Sequence, residues 1–356
     1  MEYRIDSHKL IYHPKEVNQW METGDVFPVN VEIGLSGACN HRCIFCGIDY
    51  MGYAPNLLSA DIVLSNLREM YKRGTKSVVF AGDGEPLLNK EAPFIINETR
   101  NMGVDVAMST NGVLFSKEVA EECMESLTWM RFSTSAFSDE NYQKIHRARK
   151  GDIDLVFQNI SGAAELKRKK NLNTTIGVQM VLIPDNVDDA YQLGKKVREL
   201  GADYFVIKTF GHQPQSGSDL KQHYNWDDFY DKQKELEEKI TRLSTKDFDG
   251  IFRTSRLEKR KIKCNYKECH ALPFFSYIDS AGNVWPCCIL MGNEGMCYGN
   301  ICEKSFAEIW DSDERRKVVE QIRKNGLKFC SPDCRLNEMN WYLQELKYPN
   351  AHVNFI

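Results

Sequence analysis

Between about residue 28 and residue 210, short runs of β-branched and aromatic residues alternate with stretches whose apolar positions recur at helical spacing. That alternation predicts repeated βα units and a parallel sheet or barrel. Six strands are predicted: Val29 to Leu35, Ser77 to Ala81, Asp105 to Ser109, Trp129 to Thr134, Thr175 to Ile183 and Tyr204 to Lys208. Helices fill the gaps. In the stretch Ser59 to Arg73, Ser59 can cap the free amides, Ile62, Leu64, Leu67 and Tyr71 give an apolar stripe, and Gly74 ends the helix. Val187 to Leu200, stopped at Gly201, repeats that grammar. Residues 211 to 262 break the pattern with Gly211, Pro214, Ser216, Gly217 and Ser218, then a charged helical stretch from Trp226 to Leu243. They read as a helical linker whose charges, like those of Lys167 to Lys170, form a solvated face. From residue 263 the chain turns to cysteine, aromatic residues and glycine, then to helical runs over Phe306 to Asn325 and Leu336 to Lys347. The predicted division is an extension over 1–28, a main domain over 29–210, the linker over 211–262 and a small domain over 263–356.

Composition narrows the partners. Of 356 residues, 42% are hydrophobic and 27% charged, ordinary globular usage that excludes a disordered or fibrous chain. The 46 basic and 50 acidic side chains leave a net charge of -4, so no broad cationic surface serves a phosphate backbone or an anionic lipid. Neither nucleic acid nor membrane is an expected partner. No apolar run approaches the roughly 18 residues that span a bilayer, and Met1-Glu2-Tyr3-Arg4-Ile5-Asp6 lacks a signal-peptide core. A cytoplasmic protein is expected.

Twelve cysteines in such a chain are better read as metal ligands than as a disulfide framework. Cys39, Cys43 and Cys46 form a tight trio, Cys123 stands alone at helical spacing with Val119 and Leu127, and eight fall between Cys264 and Cys334. Two sites are implied, with Cys123 packed in the core. The trio follows the first predicted strand, at the end where barrel active sites lie. Three thiolates at this spacing can hold three irons of a 4Fe-4S cube, whereas a structural zinc site wants a fourth close ligand. The fourth iron stays open to another molecule.

The CxxxCxxC run Cys39-Asn40-His41-Arg42-Cys43-Ile44-Phe45-Cys46, with aromatic Phe45 before the last cysteine, resembles the radical S-adenosylmethionine (SAM) superfamily. Gly82-Asp83-Gly84-Glu85-Pro86 closes the second strand and is similar to that superfamily's GGEP element, whose backbone and acidic residue receive the methionine amino group; Asp83 departs from the usual second glycine. The resemblance implies that Ser109 and Asn111, ending the third strand, and Ser133 on the fourth meet the cofactor's carboxylate and ribose. Gln179 and Lys208 are polar residues in apolar strands, facing either the barrel interior, where an unpaired polar group is costly, or the helical layer and rim. The implied fold is α/β, a partial (β/α)6 TIM-like barrel. The implied chemistry is one-electron cleavage of SAM to a 5′-deoxyadenosyl radical that abstracts hydrogen from substrate, fed by a one-electron donor such as flavodoxin or ferredoxin.

Cys269-x12-Gly282-x4-Cys287, followed by Cys330-x3-Cys334, brings four thiolates from a segment that reads as two strands around Ser280-Ala281-Gly282-Asn283 and from a later helical segment. This looks like the SPASM/twitch extension of radical SAM enzymes, which implies an auxiliary 4Fe-4S cluster. One such cluster is expected, or two if Cys264, Cys288, Cys297 and Cys302 also serve; zinc suits four thiolates as well. The expected reaction is oxidation of a carbohydrate or aminocyclitol alcohol, with Lys208 as base or substrate ligand and the auxiliary cluster accepting the second electron. Epimerisation is the variant in which a cysteine such as Cys288 returns hydrogen. Maturation of a peptide or protein side chain is the competing reading, against which only about 28 residues precede the first strand, few for a leader-binding domain. A non-catalytic iron-sulfur scaffold would not need Gly82 to Glu85 and Asn111 at strand ends.

Overall fold

The computed structural model describes residues 8–211, 213–253, 264–330 and 334–355. Helix α1 (Pro14–Thr23), with proline in its first turn and left-handed Gly24 as its C-cap, precedes strand β1 (Asn30–Gly34). Then come α2 (Ala60–Arg73), β2 (Ser77–Ala81), α3 (Ala92–Asn101), β3 (Asp105–Thr110), α4 (Lys117–Cys123) and β4 (Leu127–Ser133). The run continues through α5 (Asp139–His146), α6 (Asp152–Lys170), β5 (Thr175–Leu182), α7 (Val187–Glu199) and β6 (Tyr204–Thr209). The six predicted strands are these six, with ends shifted by one or two residues. Ser59 caps α2 by accepting from the Ile62 N–H, and Gly74 closes it at φ +117°. The buried face of α2 is Val63, Leu64, Leu67 and Met70, while Tyr71 is 44% exposed. The 3.6-residue period admits two adjacent stripes through Leu64 and Leu67, and contact with the sheet selects the one that excludes Tyr71.

The segment 211–262 is more than a linker. Short helices α8 (Leu220–His223), α9 (Trp226–Asp231) and α10 (Lys234–Thr241) lead to β7 (Asp249–Phe252), which pairs in parallel with β6 in the register Phe205↔Gly250 and Ile207↔Phe252. Helix α10 lies so close to β7 that a β-carbon on Gly250 would stand 2.0 Å from the Ile240 carbonyl oxygen. Four residues with two apolar side chains carry too little alternation to announce a strand.

The small domain extends the same sheet. Strand β8 (Phe275–Ile278) pairs in parallel with β1, β9 (Asn283–Trp285) pairs antiparallel with β8, and β10 (Gly299–Asn300) pairs antiparallel with β9. The sheet order is β10-β9-β8-β1-β2-β3-β4-β5-β6-β7. Strands β1 to β7 are the wall of a partial TIM barrel, with β8, also parallel, on one side of β1 and β7 unpaired on its outer side among the described residues. Helices α11 (Phe306–Trp310), α12 (Asp313–Asn325) and α13 (Asn337–Lys347) complete the chain. A second core joins Leu10, Val17 and Trp20 from around α1 to Phe274, Tyr277, Trp285 and Leu343, so the N-terminal extension is a packing partner of the small domain. No helix among the described residues is long and apolar enough to cross a membrane.

Candidate active site between two cysteine groups

The loop after β1 carries Cys39, Cys43 and Cys46 and is held from several sides. The Arg42 and Ile44 N–H groups donate to the carbonyls of His146 and Ile145 at 3.0 and 2.9 Å. Ser216 and Ser218, inside the predicted linker, donate from their hydroxyls to the carbonyls of Cys46 and Ile44 at 3.0 and 2.7 Å. The Arg42 guanidinium lies 3.9 Å over the Tyr53 ring. Burial pushes the Cys39 thiol up to about 11, and burial followed by the neighbouring cysteine charges raises Cys43. All twelve cysteines are free thiols.

Steric need fixes both glycines of the Gly82-Asp83-Gly84-Glu85 turn. A β-carbon on Gly82, at φ +134°, would stand 2.6 Å from the Gly34 Cα, and one on Gly84 would stand 2.2 Å from the Ala38 carbonyl oxygen. Positive φ falls on Gly82, not on Asp83. The Asp83 carboxylate accepts from the backbone N–H and hydroxyl of Ser280. Glu85 is buried, and burial raises its pKa. Its carboxylate accepts from the Thr110 hydroxyl at 2.6 Å, the Asn111 N–H at 2.7 Å and the Leu87 N–H at 3.2 Å. Asn111 donates from its amide to Asn40 Oδ1 at 2.6 Å. Glu85 thus ties the ends of β2 and β3 together beneath the cysteine loop.

These elements enclose a cavity of about 400 Å³ lined by Cys39, Cys43, Phe45, Cys46, Gly82, Gly84, Glu85, Ser109, Asn111, Ser133, Gln179 and Lys208. Lys208 and Gln179 therefore face the interior and not the helical layer. A second chamber of about 280 Å³ adjoins it, sharing the wall of Glu32, Gly47, Ile48, Gly82, Lys208, Gly211 and Arg335 and reaching Cys287, Cys288 and Cys334. Among the charged or ionisable wall residues outside the sequence expectation are Glu32, Arg131, His146 and Arg335. Arg335 and Glu32 form an ion pair at 2.6 Å. Arg131 lies 3.4 Å from the Ser109 hydroxyl, and its buried Nε has no hydrogen-bond partner among the described residues. Glu32 and Arg131 are charged residues inside apolar strands, the same signal that marks Gln179 and Lys208.

The second cysteine group comes together from both ends of the small domain. Burial, then the charges of Cys288, Cys334 and Cys269, raise the Cys287 thiol, and burial, then the charge of Cys269, raises Cys334. Cys330 is pushed up to about 11 by burial, with Cys269 and Cys264 adding repulsion. Cys264, unassigned from sequence, thus stands beside the expected four. Cys288 lines the chamber, whereas Cys297 and Cys302 bond the Gly299 and Ala281 carbonyls on the hairpin side. Cys123 is buried and donates to the Val119 carbonyl, as packing requires.

Half-buried cysteines facing one cavity, a glycine-walled turn and a buried guanidinium whose Nε has no partner among the described residues suit an iron cluster with an anion-bearing cofactor beside it. A radical SAM superfamily model matches residues 33–197, and a SPASM model, an iron-sulfur cluster-binding domain, matches residues 264–335. The chain carries a radical SAM domain followed by a SPASM domain, and the two domains imply SAM and 4Fe-4S clusters. Among its relatives is the AdoMet-dependent heme synthase of Methanosarcina barkeri, 24% identical over 79% of this chain and 81% of that protein. The fold is shared with Streptococcus suis SuiB bound to the precursor peptide SuiA, at a TM-score of 0.68, 18% identity, 88% of this chain and 71% of that one. It is shared also with anSMEcpe with bound AdoMet, at 0.59, 16% identity, 90% of this chain and 96% of that one.

Proposed function

We propose that this radical SAM enzyme oxidises an alcohol carbon of a small polar molecule, carbohydrate or aminocyclitol in class, held in the chamber between its two cysteine groups. The observation that carries this is the wall of Lys208, Gly211 and Arg335 shared by the cavity at Cys39, Cys43 and Cys46 and the chamber at Cys287, Cys288 and Cys334. When bound, the clusters and SAM supply a hydrogen-abstracting carbon radical and an acceptor for one further electron.

The chain's own groups do the rest. Cys39, Cys43 and Cys46 each bind one iron and leave a fourth for the cofactor. The Gly82 and Gly84 backbone and the Glu85–Asn111 tie shape the rim against which its amino group lies. Arg131, beside Ser109 and Ser133, meets its carboxylate, because a buried guanidinium with an unpaired N–H favours an anion. Lys208 holds the substrate hydroxyl and takes its proton. Cys269, Cys287, Cys330 and Cys334 ligate the auxiliary cluster. The balance would close with the hydrogen atom on the deoxyadenosyl carbon, the hydroxyl proton on Lys208 and one electron accepted at the auxiliary site that Cys269, Cys287, Cys330 and Cys334 would hold, leaving a carbonyl. About 280 Å³ lies just below the range of drug-sized pockets, which suits a sugar-sized substrate.

Two further readings have specific support. Cys288 lines the chamber, which favours return of hydrogen and epimerisation. SuiB, which shares the fold, is bound to a precursor peptide, which favours a peptide side chain. One experiment separates them: reduced protein and SAM are incubated in deuterated water with polyols, aminocyclitols or peptides, and 5′-deoxyadenosine and product are followed. The expected result is stimulation by a polyol class with a ketone formed one for one. Deuterium gained at carbon without a ketone would mean epimerisation, and stimulation by peptides alone would overturn the substrate class.

A further inference from the structure

His146 ends α5 and is 1% exposed. Its Nδ1 lies 3.1 Å from Cys43 Sγ. Its other ring nitrogen, Nε2, lies 2.9 Å from the backbone nitrogen of Ser135. A backbone N–H can only donate, so Nε2 offers its lone pair there and carries no proton. The single proton of the neutral imidazole therefore sits on Nδ1, facing the sulfur. The main chain just beyond β4 sets this tautomer.

Neither partner is free to turn away. Tyr142 stacks on the His146 ring with centroids 4.3 Å apart, and Phe45 meets it edge-on at 5.5 Å. On the other side, the hydrogen bonds from Arg42 and Ile44 to the carbonyls of His146 and Ile145 bracket Cys43 and hold its backbone against the end of α5. Ring orientation and sulfur position are thus fixed by separate contacts, and the N–H···S approach follows from both.

We propose that His146 is a positioning residue for the N-terminal cluster: its Nδ1–H donates to the Cys43 thiolate and raises the cluster's reduction potential. A donor to a ligand sulfur stabilises the added negative charge of the reduced cluster more than it stabilises the oxidised one. In a buried site that charge is otherwise poorly solvated, so the donor eases the uptake of one electron from a protein partner. The inference rests on the trio of Cys39, Cys43 and Cys46 holding the cluster.

The test is a potentiometric EPR titration of the fully loaded protein, following the signal that changes when SAM is added and so belongs to the N-terminal cluster. His146→Leu removes the donor and is expected to lower the reduced-to-oxidised ratio at a fixed poise about tenfold, which is a negative shift of about 59 mV for one electron. His146→Asn, whose amide nitrogen can occupy the Nδ1 position, is expected to recover most of that shift. An unchanged midpoint in the Leu variant, or an equal shift in both variants, overturns the proposal, because packing alone does not distinguish the two by their donors. If the Leu variant loses its iron, wild-type protein labelled with 15N-histidine decides: pulsed EPR is expected to find a weakly coupled ring nitrogen whose proton exchanges in deuterated water. No coupling, or the strong coupling of an iron-bound nitrogen, overturns it. Failure of the underlying reading looks different, since the wild type would then lack any SAM-sensitive signal, which removes both.

Discussion

At the scale of single residues, Asp83 shows how one residue of a local motif can be tied to a distant part of the fold. The turn Gly82-Asp83-Gly84-Glu85 lies at the expected strand end and its glycines are sterically required, yet the Asp83 carboxylate accepts hydrogen bonds from Ser280, 197 residues away in sequence. No local pattern announces a partner that distant. Lys208 and Gln179, in contrast, were legible as polar side chains in apolar strands that must be matched by something, and the fold decides for the interior over the helical layer. Arg131 and Glu32 carry the same mark, whereas His146 carries none, because its meeting with Cys43 depends on where a helix end docks. A consequence follows for Asp83→Gly, which would restore the superfamily's usual two glycines. Chemical denaturation is expected to show a loss of about 1–3 kcal/mol, the cost of stranding the buried Ser280 donors. SAM affinity by calorimetry is expected to change little; a large loss of affinity with unchanged stability would return Asp83 to the cofactor.

At the scale of elements, β1 to β6 were readable because each is a short, largely buried run set between helical stretches. Two features of the sheet were not. Strand β7 is too short to show a period, and the pairing of β8 with β1 joins segments about 240 residues apart that nothing in either sequence links. The linker reading failed for the first reason. Gly250→Ala tests the correction, since its β-carbon would meet the Ile240 main-chain oxygen, which no rotamer change can move aside. A destabilisation of about 1–3 kcal/mol is expected in thermal or denaturant unfolding. A neutral substitution would mean that α10 and β7 are not packed in this way.

At the scale of the whole molecule, the two cysteine groups belong to one structure and not to two tethered domains. The β8–β1 pairing, the Asp83–Ser280 contact, the Glu32–Arg335 ion pair and the core shared by α1 and the small domain all cross between them. That continuity is what closes a chamber between the groups. The class of the chemistry was legible from cysteine spacing and glycine turns. The chamber was not, because its walls come from β1, β6 and the segment around Arg335, which only the tertiary fold assembles. The central claim is that an iron of the N-terminal cluster is left open by the protein and taken by SAM. The most direct test is the EPR spectrum of the anaerobically reduced protein before and after SAM is added. One cluster's signal is expected to change g values and line shape, and that response is expected to be absent in Cys43→Ala; a wild-type spectrum identical before and after addition would contradict the account.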